Sequence, residues 1–162
     1  MSSCLEEYLS EFSYSTDGKV YNRYGRQVGS YTRKYARLHT KFGTLSLSRV
    51  LWWMHYGRWP EGEIDHIDGD THNNSLDNLR ECSRDENAKN RRAYSSNTSG
   101  YKGVYPIRYK GEVVKFCAKI QSDNRSYYLG SFDTAEEAAV AYDEAAKKLH
   151  GNYSTLNNIK GD

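Results

Sequence analysis

Apolar positions in this chain come in short runs, cut up by Gly and by polar turn residues, and they predict small elements throughout. Thr16-Asp17-Gly18-Lys19-Val20-Tyr21 reads as a turn into a strand, because Asp-Gly suits tight turns. Gly25, Gly29 and Gly43 divide the next stretch into segments 27–31, 35–39 and 44–47, the pattern of a small antiparallel sheet. Residues 1–11 fit a short helix or a frayed end. Ser48 is placed to cap a helix over residues 49–56, with Val50, Leu51, Trp53 and Met54 as its buried side and Gly57-Arg58-Trp59-Pro60 ending it. Trp52, Trp53 and Trp59 read as packing residues, and His39, His55 and His150 as packing or surface histidines.

The middle of the chain changes character. Glu63-Ile64-Asp65-His66-Ile67-Asp68-Gly69-Asp70 and Asn73-Asn74-Ser75-Leu76-Asp77-Asn78-Leu79-Arg80 predict a short strand, a long polar loop and a second short strand. Ser83-Arg84-Asp85-Glu86 then has the spacing of a capping box, which opens a helix with Asn87 in its first turn or so. Asp68, Asp70, His72 and Asp77 read as turn formers of the loop. The polar run at residues 94–100 is the clearest linker. Beyond it, residues 101–105, 115–120 and 126–132 predict three strands, with turns near Lys110-Gly111 and Asp123-Asn124. Thr134-Ala135-Glu136-Glu137 is a second capping-box spacing. Ala135, Ala138, Ala139, Tyr142, Ala145, Ala146 and Leu149 form one stripe of the helix that follows. The expected class is α+β.

Composition changes this picture only in part. Hydrophobic residues make up 37% and mean hydropathy is −0.91, so the cores are small. The three cysteines, Cys4, Cys82 and Cys117, form no CxxC pair, which argues against a disulfide framework and a Cys-rich zinc ribbon. The sequence holds no long apolar run, and neither a secretory leader nor a membrane span is expected. Net charge is only +2, but its distribution is informative. Residues 1–60 carry nine Lys/Arg against four Asp/Glu, residues 61–96 five against nine, and residues 97–130 six against two. Basic flanks suit a phosphate backbone and an acidic middle suits a metal. Arg23, Arg26, Arg33, Lys34, Arg37 and Lys41, interleaved with Tyr, read as a phosphate-tracking surface. Lys102, Arg108, Lys110, Lys115, Lys119 and Arg125 make one face of the C-terminal module basic. Asp133, Glu136, Glu137, Asp143 and Glu144 make the helix face acidic.

The acidic middle carries the candidate chemistry. A carboxylate with a carboxamide can hold a hard cation and leave room for water and phosphate. An imidazole beside them can take a proton from water near neutral pH. Together they form a minimal kit for phosphodiester hydrolysis. Neighbouring strand residues point to opposite faces, so Asp65 and His66 share a site only where the strand bends or ends.

Residues 46–92 resemble the HNH nuclease family, whose core is a ββα-metal motif. Asp65-His66, Asn78-Leu79 and Asn87 are similar to the His-Asn-Asn branch found in phage and intron homing endonucleases, with Asn87 standing where the family name has its last His. The resemblance implies His66 as general base and Asp65 and Asn87 as metal ligands. It implies Asn78, counted with His66 in the catalytic set, as the central Asn that ties down the loop. One divalent cation is implied, Mg²⁺ first and Mn²⁺ second.

The C-terminal module resembles the plant ethylene-response-factor (Apetala-2 type) DNA-binding domain. The matching residues are Tyr101-Lys102-Gly103-Val104, Ala118 and Ile120, Leu129-Gly130-Ser131-Phe132, Thr134-Ala135-Glu136-Glu137-Ala138-Ala139, and Ala141-Tyr142-Asp143 with Ala145-Ala146. Phe116 and Tyr128 stand where the plant domains often use Trp. Several base-contacting Arg positions hold Tyr105, Lys or nothing comparable. Binding of double-stranded DNA is implied, but the plant target sequence is not.

The two resemblances together imply the arrangement of a phage-type homing endonuclease: a DNA-contacting small-sheet region (1–45), an HNH core (46–94), a linker (95–100), an ethylene-response-factor-type domain (101–158) and a tail (159–162). The implied DNA contacts are Arg33, Lys34, Lys89, Arg91, Arg92, Lys102, Tyr105, Arg108, Lys110, Lys115, Lys119, Arg125 and Tyr128. The implied reaction leaves a 5′ phosphate and a 3′ hydroxyl. A phage-encoded enzyme acting in the bacterial cytoplasm, with no membrane association and no obligatory protein partner, completes the expectation. The rival readings are a DNA-binding regulator with an inactive HNH core and an RNA-binding module.

Overall fold

Two hydrophobic cores organise the chain in the computed structural model, which describes residues 2–32, 35–90, 97–123, 125–157 and 159. They belong to two compact units, Met1–Asn87 and Ala88–Asp162.

The first unit opens with helix α1 (Ser2–Leu9). Strands β1 (Ser13–Tyr14), β2 (Val20–Tyr21) and β3 (Gln27–Val28) form one antiparallel sheet in that order. Strands β4 (Ser30–Tyr31), β5 (Ala36–Thr40) and β6 (Gly43–Ser46) form a second. Sequence reasoning expects one small sheet here. Gly29, at φ +115°, breaks the segment 27–31 into two strands of different sheets, a conformation that side-chain-bearing residues rarely adopt.

Helix α2 (Leu47–Tyr56) starts earlier than its sequence suggests. Ser46, still extended, is the cap position. Ser48 lies inside the helix, buried, with its Oγ 2.9 Å from that of Ser46. The reason is packing. Leu47 follows β6 directly and is fully buried, so a start at residue 49 would cost the core this side chain. Trp52 is buried as well, while Trp53 and Met54 pack from the margin and Trp53 stacks on Trp59. Gly57, at φ +68°, ends the helix by donating its N–H to the Trp53 carbonyl. Leu9, Val20, Ala36 and Leu38 share one core with Leu47, Leu51 and Leu79, so the described elements before α2 pack as part of this unit.

Strands β7 (Glu63–His66) and β8 (Leu79–Cys82) pair antiparallel, with Asp65 opposite Arg80 and His66 opposite Leu79. Glu81 of β8 anchors the approach to β7. It accepts from Arg58 Nη2 at 2.7 Å and from the N–H groups of Gly62 and Glu61. The Arg58 guanidinium, then those backbone donors, hold its carboxyl down at about 2. Helix α3 (Arg84–Lys89) begins with the reciprocal bonds of a capping box. The Glu86 N–H donates to Ser83 Oγ, and the Ser83 N–H to Glu86 Oε2.

In the second unit, β9 (Val104–Tyr109), β10 (Glu112–Ser122) and β11 (Arg125–Phe132) form an antiparallel sheet with β10 central, packed on helix α4 (Ala135–His150). The first strand starts at Val104 rather than at residue 101. Gly103 sits at φ +74° and the Tyr142 ring occupies the space where a Cβ would be, so the chain bends there before pairing. Thr134 caps α4 with the full capping box. The small side chains Ala138, Ala139 and Ala146 bring the helix close to Val104, Ala118 and Ile120.

Two helix positions depart from the expected stripe and charge pattern. Leu149 is exposed, and His150 is buried in its place with Nε2 2.8 Å from the Gln121 carbonyl. Asp143 does not join the acidic face. It is buried and accepts from the Asn157 N–H and Nδ2. Asn157 in turn accepts the Lys102 N–H and donates to the Lys102 carbonyl. The segment after α4 is thereby tied to the start of the sheet. No helix among the described residues is long and apolar enough to cross a membrane.

Candidate active site

The pairing of β7 with β8 decides where the candidate side chains go. Strand β7 ends at His66: the next N–H, that of Ile67, donates to the Asn78 carbonyl, and the chain turns away with Gly69 N–H on the His66 carbonyl. Asp65 and His66 therefore stand at the last two positions of the strand. Asp65 is buried and its Oδ2 accepts from Arg80 Nε at 2.8 Å and Arg80 Nη2 at 2.7 Å. His66 is buried too, with Nε2 3.1 Å from Asn74 Oδ1.

The loop between the strands is ordered by Asx turns and one central Asn. Asp68 Oδ1 accepts the Asp70 N–H, and Asp70 Oδ1 accepts the His72 N–H, so these carboxylates serve the loop's own turns. Asn78 joins its two ends. Its Oδ1 accepts the Asp68 N–H at 3.0 Å, and its Nδ2 donates to Asp68 Oδ1 at 2.9 Å and to the Asn73 carbonyl at 2.7 Å. Burial works to raise the Asp68 pKa, but hydrogen bonds from Asn73, the Asp70 N–H and Asn78 leave it below the usual carboxylate value. The N-terminal sheets brace the same loop. His72 stacks on Tyr31 with Nε2 2.7 Å from the Thr32 carbonyl, and the Thr16 carbonyl accepts from the Leu76 N–H and Ser75 Oγ.

Asn87, in α3, donates through Nδ2 to Glu63 Oε2. Glu63 lies two residues before Asp65 on β7, hence on the same side of the strand. With its nitrogen committed to Glu63, Asn87 presents its oxygen as the possible ligand. Asp65, Glu63 and Asn87 thus offer oxygen donors alone, which fits a hard divalent cation. A carboxylate has lone pairs enough to hold a guanidinium and a cation together. Among the described residues, no three His, Cys, Asp or Glu side chains gather to hold a metal unaided. Such an ion would take its remaining ligands from water and phosphate, as Mg²⁺ does. Sequence reasoning missed Glu63, Asn74 and Arg80. A period-two reading back from Asp65 points to Glu63; the other two depend on loop closure and register.

The sequence-derived DNA contacts fall into several places. Cross-strand pairing puts Tyr105, Lys115, Lys119 and Tyr128 on the sheet face opposite α4, where all four are exposed. Arg108 and Lys110 are exposed at the β9–β10 hairpin, where Arg108 donates to the Gly111 carbonyl. Arg125 is exposed at the start of β11. Lys102 lies on the helix side. Its Nζ donates to the Lys89 carbonyl and stands over the Tyr142 ring, and burial lowers its pKa to about 8 against the pull of Asp143. Lys89 is half-buried. Arg33, Lys34, Arg91 and Arg92 lie outside the described residues.

Comparison with known proteins gives three kinds of match. The HNH endonuclease family profile matches residues 46–89. Protein 3.8 of Escherichia phage T7 is 33% identical over 105 residues, 64% of this chain and 84% of the phage protein. The uncharacterized HNH endonuclease L560 of Acanthamoeba polyphaga mimivirus is 31% identical over 96 residues, 59% of this chain and 47% of the viral protein. Plant proteins match the C-terminal part. The AP2-like ethylene-responsive transcription factor TOE2 of Arabidopsis thaliana is 40% identical over 74 residues, 46% of this chain but only 15% of the plant protein. No solved structure matches the chain.

Proposed function

The chain belongs to the HNH endonuclease family, and from that premise we propose that it binds double-stranded DNA and hydrolyses a phosphodiester bond with the help of one divalent cation, Mg²⁺ or Mn²⁺. The observation that carries the reading is the ending of β7. Asp65 and His66 occupy its last two positions, Asn78 closes the loop behind them, and Asn87 approaches the same strand from α3 through Glu63.

His66 takes the proton from the attacking water. Asp65 and Asn87 would hold the cation, with Glu63 orienting the Asn87 carboxamide. A cation there would supply positive charge for the departing 3′ oxygen. Attack of the water oxygen on phosphorus with loss of that 3′ oxygen, which takes up a proton, leaves a 5′ phosphate and a 3′ hydroxyl. Tyr105, Lys115, Lys119 and Tyr128 lie against the duplex. A twisted sheet of this kind fits the major groove, and lysines neutralise phosphates.

Conversion of supercoiled plasmid tests this with Mg²⁺, with EDTA and with His66→Ala. We expect nicking or linearisation that EDTA abolishes and that His66→Ala slows by roughly 10²–10⁴-fold. The plant relatives named as transcription factors favour one alternative, a DNA-binding regulator with a silent nuclease core. DNA binding without cleavage in Mg²⁺, Mn²⁺ or Zn²⁺ would establish that alternative instead.

A further inference from the structure

We propose that Asn74 is the positioning residue of the general base: it holds the ring proton of His66 on Nε2 and thereby makes Nδ1 the nitrogen that receives a proton from water. The inference rests on the nuclease reading above and adds to it a residue that is neither base nor metal ligand.

The Asn74 carboxamide has only one favourable orientation. Asn74 is 2% exposed, and its Nδ2 donates to the His72 carbonyl at 3.2 Å. Turning the amide over would set its oxygen against that carbonyl oxygen, so the orientation is fixed by chemistry. Oδ1 therefore faces His66 Nε2 at 3.1 Å, and an amide oxygen only accepts. Nε2 must then carry the hydrogen. In a neutral imidazole one nitrogen donates and the other accepts, so the basic lone pair is assigned to Nδ1. The opposite tautomer would press two lone pairs together in a buried place, where an unmade hydrogen bond is costly.

Asn74 is itself held from outside the ββα core. Its N–H donates to the His72 carbonyl at 3.0 Å. The turn between β1 and β2 lies directly on it: Gly18, at φ +84°, is packed so closely that a Cβ there would overlap the Asn74 backbone. Thr16, in the same turn, accepts from the next two residues of the loop through the Leu76 N–H and Ser75 Oγ. The N-terminal hairpin thus serves the catalytic base by holding Asn74.

The test uses the full-length chain labelled with ¹⁵N-histidine, read by NMR at a pH where the ring is neutral, with His66→Gln assigning the signal. We expect a pyrrole-like Nε2 and a pyridine-like Nδ1 for His66 in the metal-free protein. Asn74→Ala should mix the tautomers and lower kcat by roughly 10²–10⁴-fold with KM for DNA unchanged, the scale of a misassigned base. Asn74→Asp keeps an acceptor oxygen toward Nε2 but loses the donor to the His72 carbonyl, so it should restore the tautomer and only part of the rate, whereas a side chain that merely fills space would leave the tautomer unmoved in both variants. A wild-type His66 protonated on Nδ1 would overturn the proposal, as would Asn74→Ala with tautomer and rate unchanged. If Asn74→Ala does not fold, a folded Asn74→Asp decides: loss of the Nε2–H tautomer there overturns the proposal, and its retention supports it. Failure of the wild type to cut DNA would sink the nuclease reading alone, because the tautomer is read without DNA or metal.

Discussion

At the scale of single residues, the site separates what a side chain is from what holds it. Asp65, His66, Asn78 and Asn87 are legible in the sequence because their types and spacing follow a motif. Glu63, Asn74 and Arg80 are not, because their roles arise only when strands register and the loop closes. Arg80 becomes the partner of Asp65 by standing opposite it on β8, fifteen residues away. Glu63 becomes the partner of Asn87 because strand alternation returns it to the side of Asp65. Removing Glu63 should therefore act through the cation. We expect Glu63→Ala to raise the Mg²⁺ concentration for half-maximal cleavage by roughly 10–100-fold, the usual penalty for losing a residue that orients a metal ligand. A Mg²⁺ titration of plasmid cleavage checks this, and an unchanged midpoint would remove Glu63 from the site.

At the scale of elements, local chemistry was readable and tertiary demand was not. Both capping boxes formed where Ser83 and Thr134 stand three residues before a Glu. The Ser48 cap did not, because Leu47 is needed in the core. The C-terminal sheet began at Val104 because Gly103 must make way for Tyr142. Glu81 shows an element held by charge: it ties Arg58 and the backbone N–H groups of residues 61 and 62 to β8. Its carboxyl is held at about 2 in the folded chain, below the ordinary 4.5. A lowered folded value means that its contribution is complete above the ordinary value and is lost as pH falls through the folded one. The Tm advantage of the wild type over Glu81→Gln should hold at pH 6 and shrink progressively from pH 4.5 to pH 2. Thermal melts of both proteins across that range test the sign.

At the scale of the whole molecule, the two units divide the proposed work between cutting and holding. The proposed holding surface is the open face of the β9–β10–β11 sheet, and lysines that meet phosphates there should make binding depend on salt. Lys119→Ala should weaken DNA binding about equally for all sequences and lower the slope of log K against log salt by about 1, if Lys119 meets one phosphate. Lys102→Ala should leave that slope unchanged, since its amine is turned toward Lys89 and Tyr142 inside the unit. Fluorescence titrations of labelled duplex at several salt concentrations distinguish the two. All three tryptophans lie in the first unit, Trp52 in its core and Trp53 and Trp59 packed against it, and the second unit has none. The molecule therefore carries a built-in optical label. Light absorbed by indole and re-emitted reports only on the first unit, while circular dichroism reports on both. Melting curves recorded the two ways on one unmodified sample separate unfolding of the unit proposed to cut from unfolding of the unit proposed to hold DNA.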